Sequence, residues 1–196
     1  MAEAPLKEAI KGKDVEVEWM PFELRPIPHK THSPKSEFIQ TGWNQSVKPM
    51  SQRFGVNMNL PLHIDPMPHT HLAHEGYQFA KTKGLGNKYA EAVLKAFWVT
   101  GKDIGNIEEL ASIASSVGLN QESFEQSLRS RTFKEKHQES LRHAYEEAQI
   151  TSVPTFFIGK RRVQGLHTKD MLEKIMEKES SDSNPVLGDS CGIDGC

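Results

Sequence analysis

The sequence predicts an α/β fold in which a small sheet is interrupted by a long all-helical insertion. Three observations carry this. Val15–Trp19 alternates apolar and charged residues, the pattern of a strand with one buried face. Residues 45–149 then repeat apolar positions at helical spacing almost throughout. Finally Phe156–Ile158, a Gly-Lys-Arg turn and a short strand at Arg162–Gln164 read as a hairpin, and a closing helix follows. A strand, a helical block, a hairpin and a helix in that order describe one sheet with a helical insertion.

Taken in order, residues 1–11 read as the end of a helix, with Leu6, Ala9 and Ile10 on one side and Gly12 placed to stop it. After the 15–19 strand, prolines and histidines as far as Ser36 mark a loop. Three apolar stripes define the helical block: Leu72, Gly76, Phe79 and Ala80; then Tyr89, Val93, Ala96 and Phe97; then Leu110, Ile113, Ala114 and Val117. Asn106, followed three residues later by Glu109, is a capping signal. Gly118 closes that helix, and Asn120 caps the next, which carries Phe124 and Leu128. A last insertion helix holds Leu141, Ala144, Tyr145 and Ala148. Thr168 caps the closing helix, whose apolar side is Met171, Leu172, Ile175 and Met176.

Composition narrows the function. Twenty-four Lys and Arg stand against 26 Asp and Glu, so neither nucleic acid nor an anionic membrane is expected as the main partner. No apolar run approaches the roughly 18 residues of a membrane span, and the first eight residues lack the apolar core of a signal peptide. The expected compartment is therefore the cytoplasm. The only two cysteines, Cys191 and Cys196, lie in the last six residues, where a bridge closes a loop too small to hold the fold together.

Pro154 sits at the entrance of the hairpin. Proline has no N–H and is tolerated at the first position of a strand, where it leaves a neighbouring edge unpaired. The simple reading of Ser152–Thr155 is a rigid loop entering a strand. The segment Ala148–Gly165 also resembles the cis-proline loop and following hairpin of thioredoxin-fold proteins. Val15–Pro26 is similar to the second strand of their DsbA-like branch, and His69–Gly84 and Ala90–Gly105 to that branch's first two insertion helices. The chain is thus identified with the FrnE-like group of DsbA-family oxidoreductases, related to 2-hydroxychromene-2-carboxylate isomerases and kappa-class glutathione transferases.

That resemblance implies a thioredoxin-like domain over residues 1–44 and 150–179, a helical insertion over 45–149 and a flexible tail over 180–196. It also implies that the family's first strand and Cys-x-x-Cys pair belong ahead of Met1, so that this form is N-terminally truncated. A helix N-terminus lowers the pKa of the attacking thiol in such a pair, and the second cysteine resolves the mixed disulfide.

In the family, the residue before the proline pairs with substrate through its backbone. Val153 and Pro154 are therefore the expected substrate-binding residues. Some FrnE-like proteins carry a Cys-x4-Cys tail, and by that likeness Cys191 and Cys196 are the catalytic thiols this chain supplies. The alternative for the tail is a disordered terminus with incidental thiols. His69, His71 and His74 would make a mixed metal site with those thiols, but solvated surface histidines are the simpler account, and no metal is assigned.

The expected function is thiol–disulfide exchange on protein or small-thiol disulfides, with no bound cofactor, glutathione as a possible co-substrate, and a possible homodimer. Two alternatives are a glutathione-dependent isomerase or transferase and a non-catalytic peptide-binding module.

Overall fold

Local chemistry sets the helix boundaries in the computed structural model, which describes residues 1–183. The first helix is α1 (Glu3–Ile10), closed by Gly12 at φ +73°, a value that favours glycine. A helical run of α2 (Glu37–Gly42), a π-helical turn at Trp43–Val47 and α3 (Lys48–Arg53) follows. Next come α4 (His71–Thr82), α5 (Gly86–Trp98), α6 (Ile107–Ser116) and α7 (Gln121–Arg129). Then α8 (Lys134–Arg142) runs into a second π-helical turn at His143–Glu147. The hairpin of β1 (Thr155–Ile158) and β2 (Arg161–Gln164) precedes α9 (Lys169–Ser183).

Both predicted asparagine caps are in place. Asn106 Oδ1 accepts from Glu109 N at 2.9 Å, and Asn120 Oδ1 accepts from Ser123 N at 2.8 Å. Each satisfies one of the amides that a helix start leaves without an internal partner. At the head of α9 the Thr168 hydroxyl accepts from Met171 N at 3.4 Å, a longer version of the same device.

The chain divides into two compact units. One is Met1–Val15 with the chain from Ser152; the other is Glu16–Thr151. In the first, α1 lies on α9: Ala9 and Leu172 are fully buried, Met176 nearly so, and Leu6, Ile10 and Ile158 pack around them. Met171, expected on that packed side, is half exposed, because Leu172 and Met176, four residues apart, set the buried stripe. The hairpin is antiparallel with Phe156 opposite Val163, and its two-residue turn begins at Gly159, φ +58°.

In the second unit the three predicted stripes meet. Phe79, Tyr89, Leu110, Phe124 and Leu128 form the centre of the core, and the Phe79 and Phe124 rings meet edge to face at 5.4 Å. Each such side chain contributes about 1.5–3 kcal/mol by leaving water. The insertion is less continuously helical than expected. Residues 55–69 carry no helix, and Gly55 with Pro61, Pro66 and Pro68 accounts for the break.

The predicted strand at Val15–Trp19 is corrected. Val17 and Trp19 are half-buried between exposed Glu16, Glu18 and Met20, as the alternation requires. Among the described residues, however, the only sheet is the two-stranded hairpin. Side chains take the carbonyls that a neighbouring strand would use: Asn87 Nδ2 donates to Val17 O at 2.7 Å, and the Tyr77 hydroxyl donates to Trp19 O. No helix among the described residues is long and apolar enough to cross a membrane.

Candidate functional site

The hairpin unit places Val153 and Pro154 at the mouth of β1. Gly165 N donates to Pro154 O at 2.8 Å, extending the β1–β2 ladder by one bond beyond Thr155 and Gln164. The ladder stops there. The Val153–Pro154 peptide bond is cis, and the Val153 side chain is 47% exposed. Among the described residues nothing hydrogen-bonds the Val153 N–H or C=O. The turn before it is held by the Thr155 hydroxyl donating to Ser152 O at 2.7 Å. On the far side the hairpin is tied to α9, where Glu179 accepts from Lys160 N and from Arg161 Nε, each at 3.1 Å.

This arrangement presents one free backbone donor and one free acceptor on a braced turn, with the exposed Phe157 ring on the same strand. An extended peptide laid along that edge gains two hydrogen bonds, each worth about 0.5–1.5 kcal/mol net. That is weak and reversible binding. Cys191 and Cys196, the expected thiols, lie outside the described residues.

The helical unit holds a second group of polar side chains, largely buried, of which the sequence reading singled out only His74. Glu23 is 2% exposed. Its carboxylate accepts from His137 Nε2 at 2.7 Å and from the Thr70 hydroxyl at 3.2 Å, and its backbone carbonyl accepts from the Tyr145 hydroxyl. His74 stacks on His137, rings 5.2 Å apart and 13° from parallel. Beside them Arg131 grips the buried Glu75 carboxylate through Nη2 at 2.6 Å and Nε at 2.9 Å.

Electrostatics follow from these contacts. Burial alone would raise the Glu23 carboxyl, but the hydrogen bond from His137 and the nearby imidazoles outweigh it and hold the group below its usual range. Burial, then the neighbouring His137, lowers His74 to about 4. His71 is also lowered, by burial and then by Arg131. The expectation of solvated surface histidines is therefore corrected for His74, whose ring is packed against His137. Among the described residues no group of three His, Cys, Asp or Glu is arranged to hold a metal ion. The available signal was an acid set between apolar neighbours in Phe22-Glu23-Leu24; its imidazole partner lies 114 residues away in sequence.

The model of the DSBA-like thioredoxin domain matches residues 1–177. An uncharacterized protein of Bacillus subtilis (strain 168), YwbO, is 44% identical over 180 residues, covering 91% of this chain and 90% of that protein. Among solved structures, a probable DsbA oxidoreductase from Streptomyces coelicolor superposes with a TM-score of 0.75 at 17% identity, covering 100% of this chain and 91% of the other. A 2-hydroxychromene-2-carboxylate isomerase superposes with a TM-score of 0.70, also at 17% identity, over 94% of this chain and 92% of the other. The match across residues 1–177, joined to a YwbO likeness of nearly full length, means that this chain belongs to the DSBA-like thioredoxin domain family.

Proposed function

We propose that the protein is a thiol–disulfide oxidoreductase acting on protein or small-thiol disulfides. The observation that carries this reading is the unpaired backbone of Val153 beside Pro154, an edge that accepts an extended chain, in a member of the DSBA-like family. Cys191 and Cys196 are the thiols this sequence supplies, and the likeness of their spacing to FrnE-like Cys-x4-Cys tails supports a role for them in the exchange.

A thiolate from one cysteine attacks a substrate sulfur; a mixed disulfide forms as the substrate S–S bond breaks, and the departing thiolate takes a proton. The second cysteine then attacks the mixed disulfide. The substrate leaves as a dithiol, reduced by two electrons, and the chain is left with a Cys191–Cys196 disulfide. Two glutathione molecules, as co-substrate, return the pair to thiols through a mixed disulfide and leave as one glutathione disulfide. The reaction uses no bound cofactor, and a reducing cytoplasm suits it.

The test is exchange with a self-quenched glutathione disulfide, comparing the full chain with the C191S/C196S double variant. Turnover by the parent chain, reduced to the buffer rate in the variant, is the expected result. Equal rates in the two overturn the proposal. Glutathione binding without turnover selects a glutathione-dependent isomerase or transferase instead. Peptide binding that survives both substitutions, again without turnover, selects a non-catalytic binding module.

A further inference from the structure

The Glu23 cluster ties together three parts of the helical unit that are distant in sequence. The segment carrying Glu23 has no strand partner, and Glu23 is bonded to the head of α4 through Thr70, to α8 through His137 and to the second π-helical turn through Tyr145. Gln78 Nε2 donates to the Ser140 hydroxyl at 3.2 Å, a single neutral bond that also joins α4 to α8. The clasp is incompletely satisfied. His137 donates through Nε2, which leaves its Nδ1 buried without a partner, and His71 Nδ1 is buried without one as well. An orphaned buried nitrogen costs free energy in the closed state and none once water reaches it.

We infer that Glu23, His137 and His74 form an acid-released clasp: it holds the Glu23 segment and α8 against α4 at neutral pH and opens when His74 takes up a proton. The charges around His74 decide the direction. From α4 itself it faces His71, with Glu75 one residue on; from α8, His137; from the extended segment, Glu23; and next to His71 and Glu75 stands Arg131, which precedes α8. The Tyr145 hydroxyl, from the π-helical turn, is spent on the Glu23 carbonyl. Among the described residues Glu23 is the one carboxylate facing this ring, and its two oxygens are already engaged by His137 and Thr70. A proton placed on His74 would thus stand face to face with a second imidazole and have no carboxylate of its own.

The closed clasp resists that proton down to about pH 4, whereas an opened one binds it at the ordinary imidazole value of about 6.5. A group with a lowered folded value favours closure fully above the unfolded value and loses that effect as pH falls from about 6.5 to about 4. Glu23 stays ionised in both states across most of this window, so His74 contributes close to one proton to the slope, and His71, also lowered by burial, adds to it. The His74 proton alone raises the opening constant about 30-fold between pH 7.5 and pH 5.

Hydrogen exchange followed by mass spectrometry on the full chain tests this. Protection factors of α8 and the turn after it, corrected for intrinsic rates, should fall at least about 30-fold from pH 7.5 to pH 5, while those of α6 stay level. In His74→Gln and His74→Phe, protection at pH 7.5 should persist and the fall by pH 5 should shrink by about that factor. A parallel fall in α6, no fall anywhere, or an unchanged fall in both variants overturns the inference. Should both variants fail to fold, an NMR titration of His74 in the parent chain decides. Ionisation near 6.5 with α8 still protected refutes the clasp, and resistance to protonation until α8 opens supports it.

Discussion

Arg131 is the most informative single residue to replace. It follows α7 by two residues and lies in the left-handed region, φ +55°, where a non-glycine side chain is costly. Thr132 N donates to Ser127 O at 3.0 Å, so the turn is the kind in which glycine usually sits. The side chain gives the reason for arginine: its guanidinium makes contacts of 2.6, 2.9 and 3.2 Å with Glu75, which is 1% exposed. Removing one member of a buried pair costs about 3–5 kcal/mol. Arg131 is itself 40% exposed, so water can partly replace it, and the lower end, about 3 kcal/mol, is expected for Arg131→Met.

Arg131→Gly loses the same contacts but relieves a backbone strain of about 1 kcal/mol, so it should unfold at a higher urea concentration than Arg131→Met. Glu75→Gln alone should cost about 2 kcal/mol, and adding it to Arg131→Met removes the stranded charge and should cost little more than the Arg131→Met change, so the double-mutant cycle gives a coupling of about 2 kcal/mol. Urea denaturation followed by circular dichroism at pH 7 measures the parent, the three single variants and the double variant. A coupling under about 0.5 kcal/mol, or a glycine variant weaker than the methionine one, would refute the account.

Three further expectations rest on separate contacts. A Cβ at Gly76 would lie 2.6 Å from the Phe124 ring and nearer still to the Tyr89 hydroxyl. Gly76→Ala should therefore destabilise by about 2 kcal/mol despite its better helix propensity, and a gain in thermal midpoint would show the core yields. Asn106→Ala and Asn120→Ala should each cost about 1 kcal/mol and add in the double variant, since they share no partner; a urea series checks this. Burial raises all three tyrosine hydroxyls, Tyr77 to about 12 and Tyr89 further. A raised folded value means stability is full below pH 10 and declines above it, and tyrosinate absorbance at pH 10.5 should lag behind that of the chain in urea. Equal absorbance in both would contradict this.

The helices were legible because their signals are local. Tyr89, Val93, Ala96 and Phe97 repeat within one helix, and all four are buried. Asn106 and Asn120 reach amides only three residues away. The hairpin was legible for the same reason, its turn glycine and apolar run being adjacent in sequence. Val15–Trp19 was misread because alternation reports a half-buried extended chain and says nothing of what pairs with it. Here the pairing groups are the Asn87 and Tyr77 side chains, about sixty to seventy residues on.

Histidine spacing fails as a guide to the buried cluster for a related reason. His69, His71 and His74 stand together in sequence, yet the contacts that fix His74 come from elsewhere: the His137 ring stacks on it, and Glu23 holds His137 in place. A local motif offers metal ligand or surface residue as its two readings. The actual role, a neutral ring packed beside a carboxylate–imidazole pair, needs partners from three distant segments. Buried polar groups are bonded because leaving them bare is costly. Glu23, lying between Phe22 and Leu24, therefore required a donor from somewhere in the chain, and its presence was the one legible hint. The identity of that donor is a property of the fold, and replacing His137 by Leu should expose the dependence: a bare Glu23 carboxylate would take up a proton as pH falls through values above its ordinary range. The resulting loss of stability, measured by urea midpoints at pH 5 and pH 8, should be smaller at pH 5.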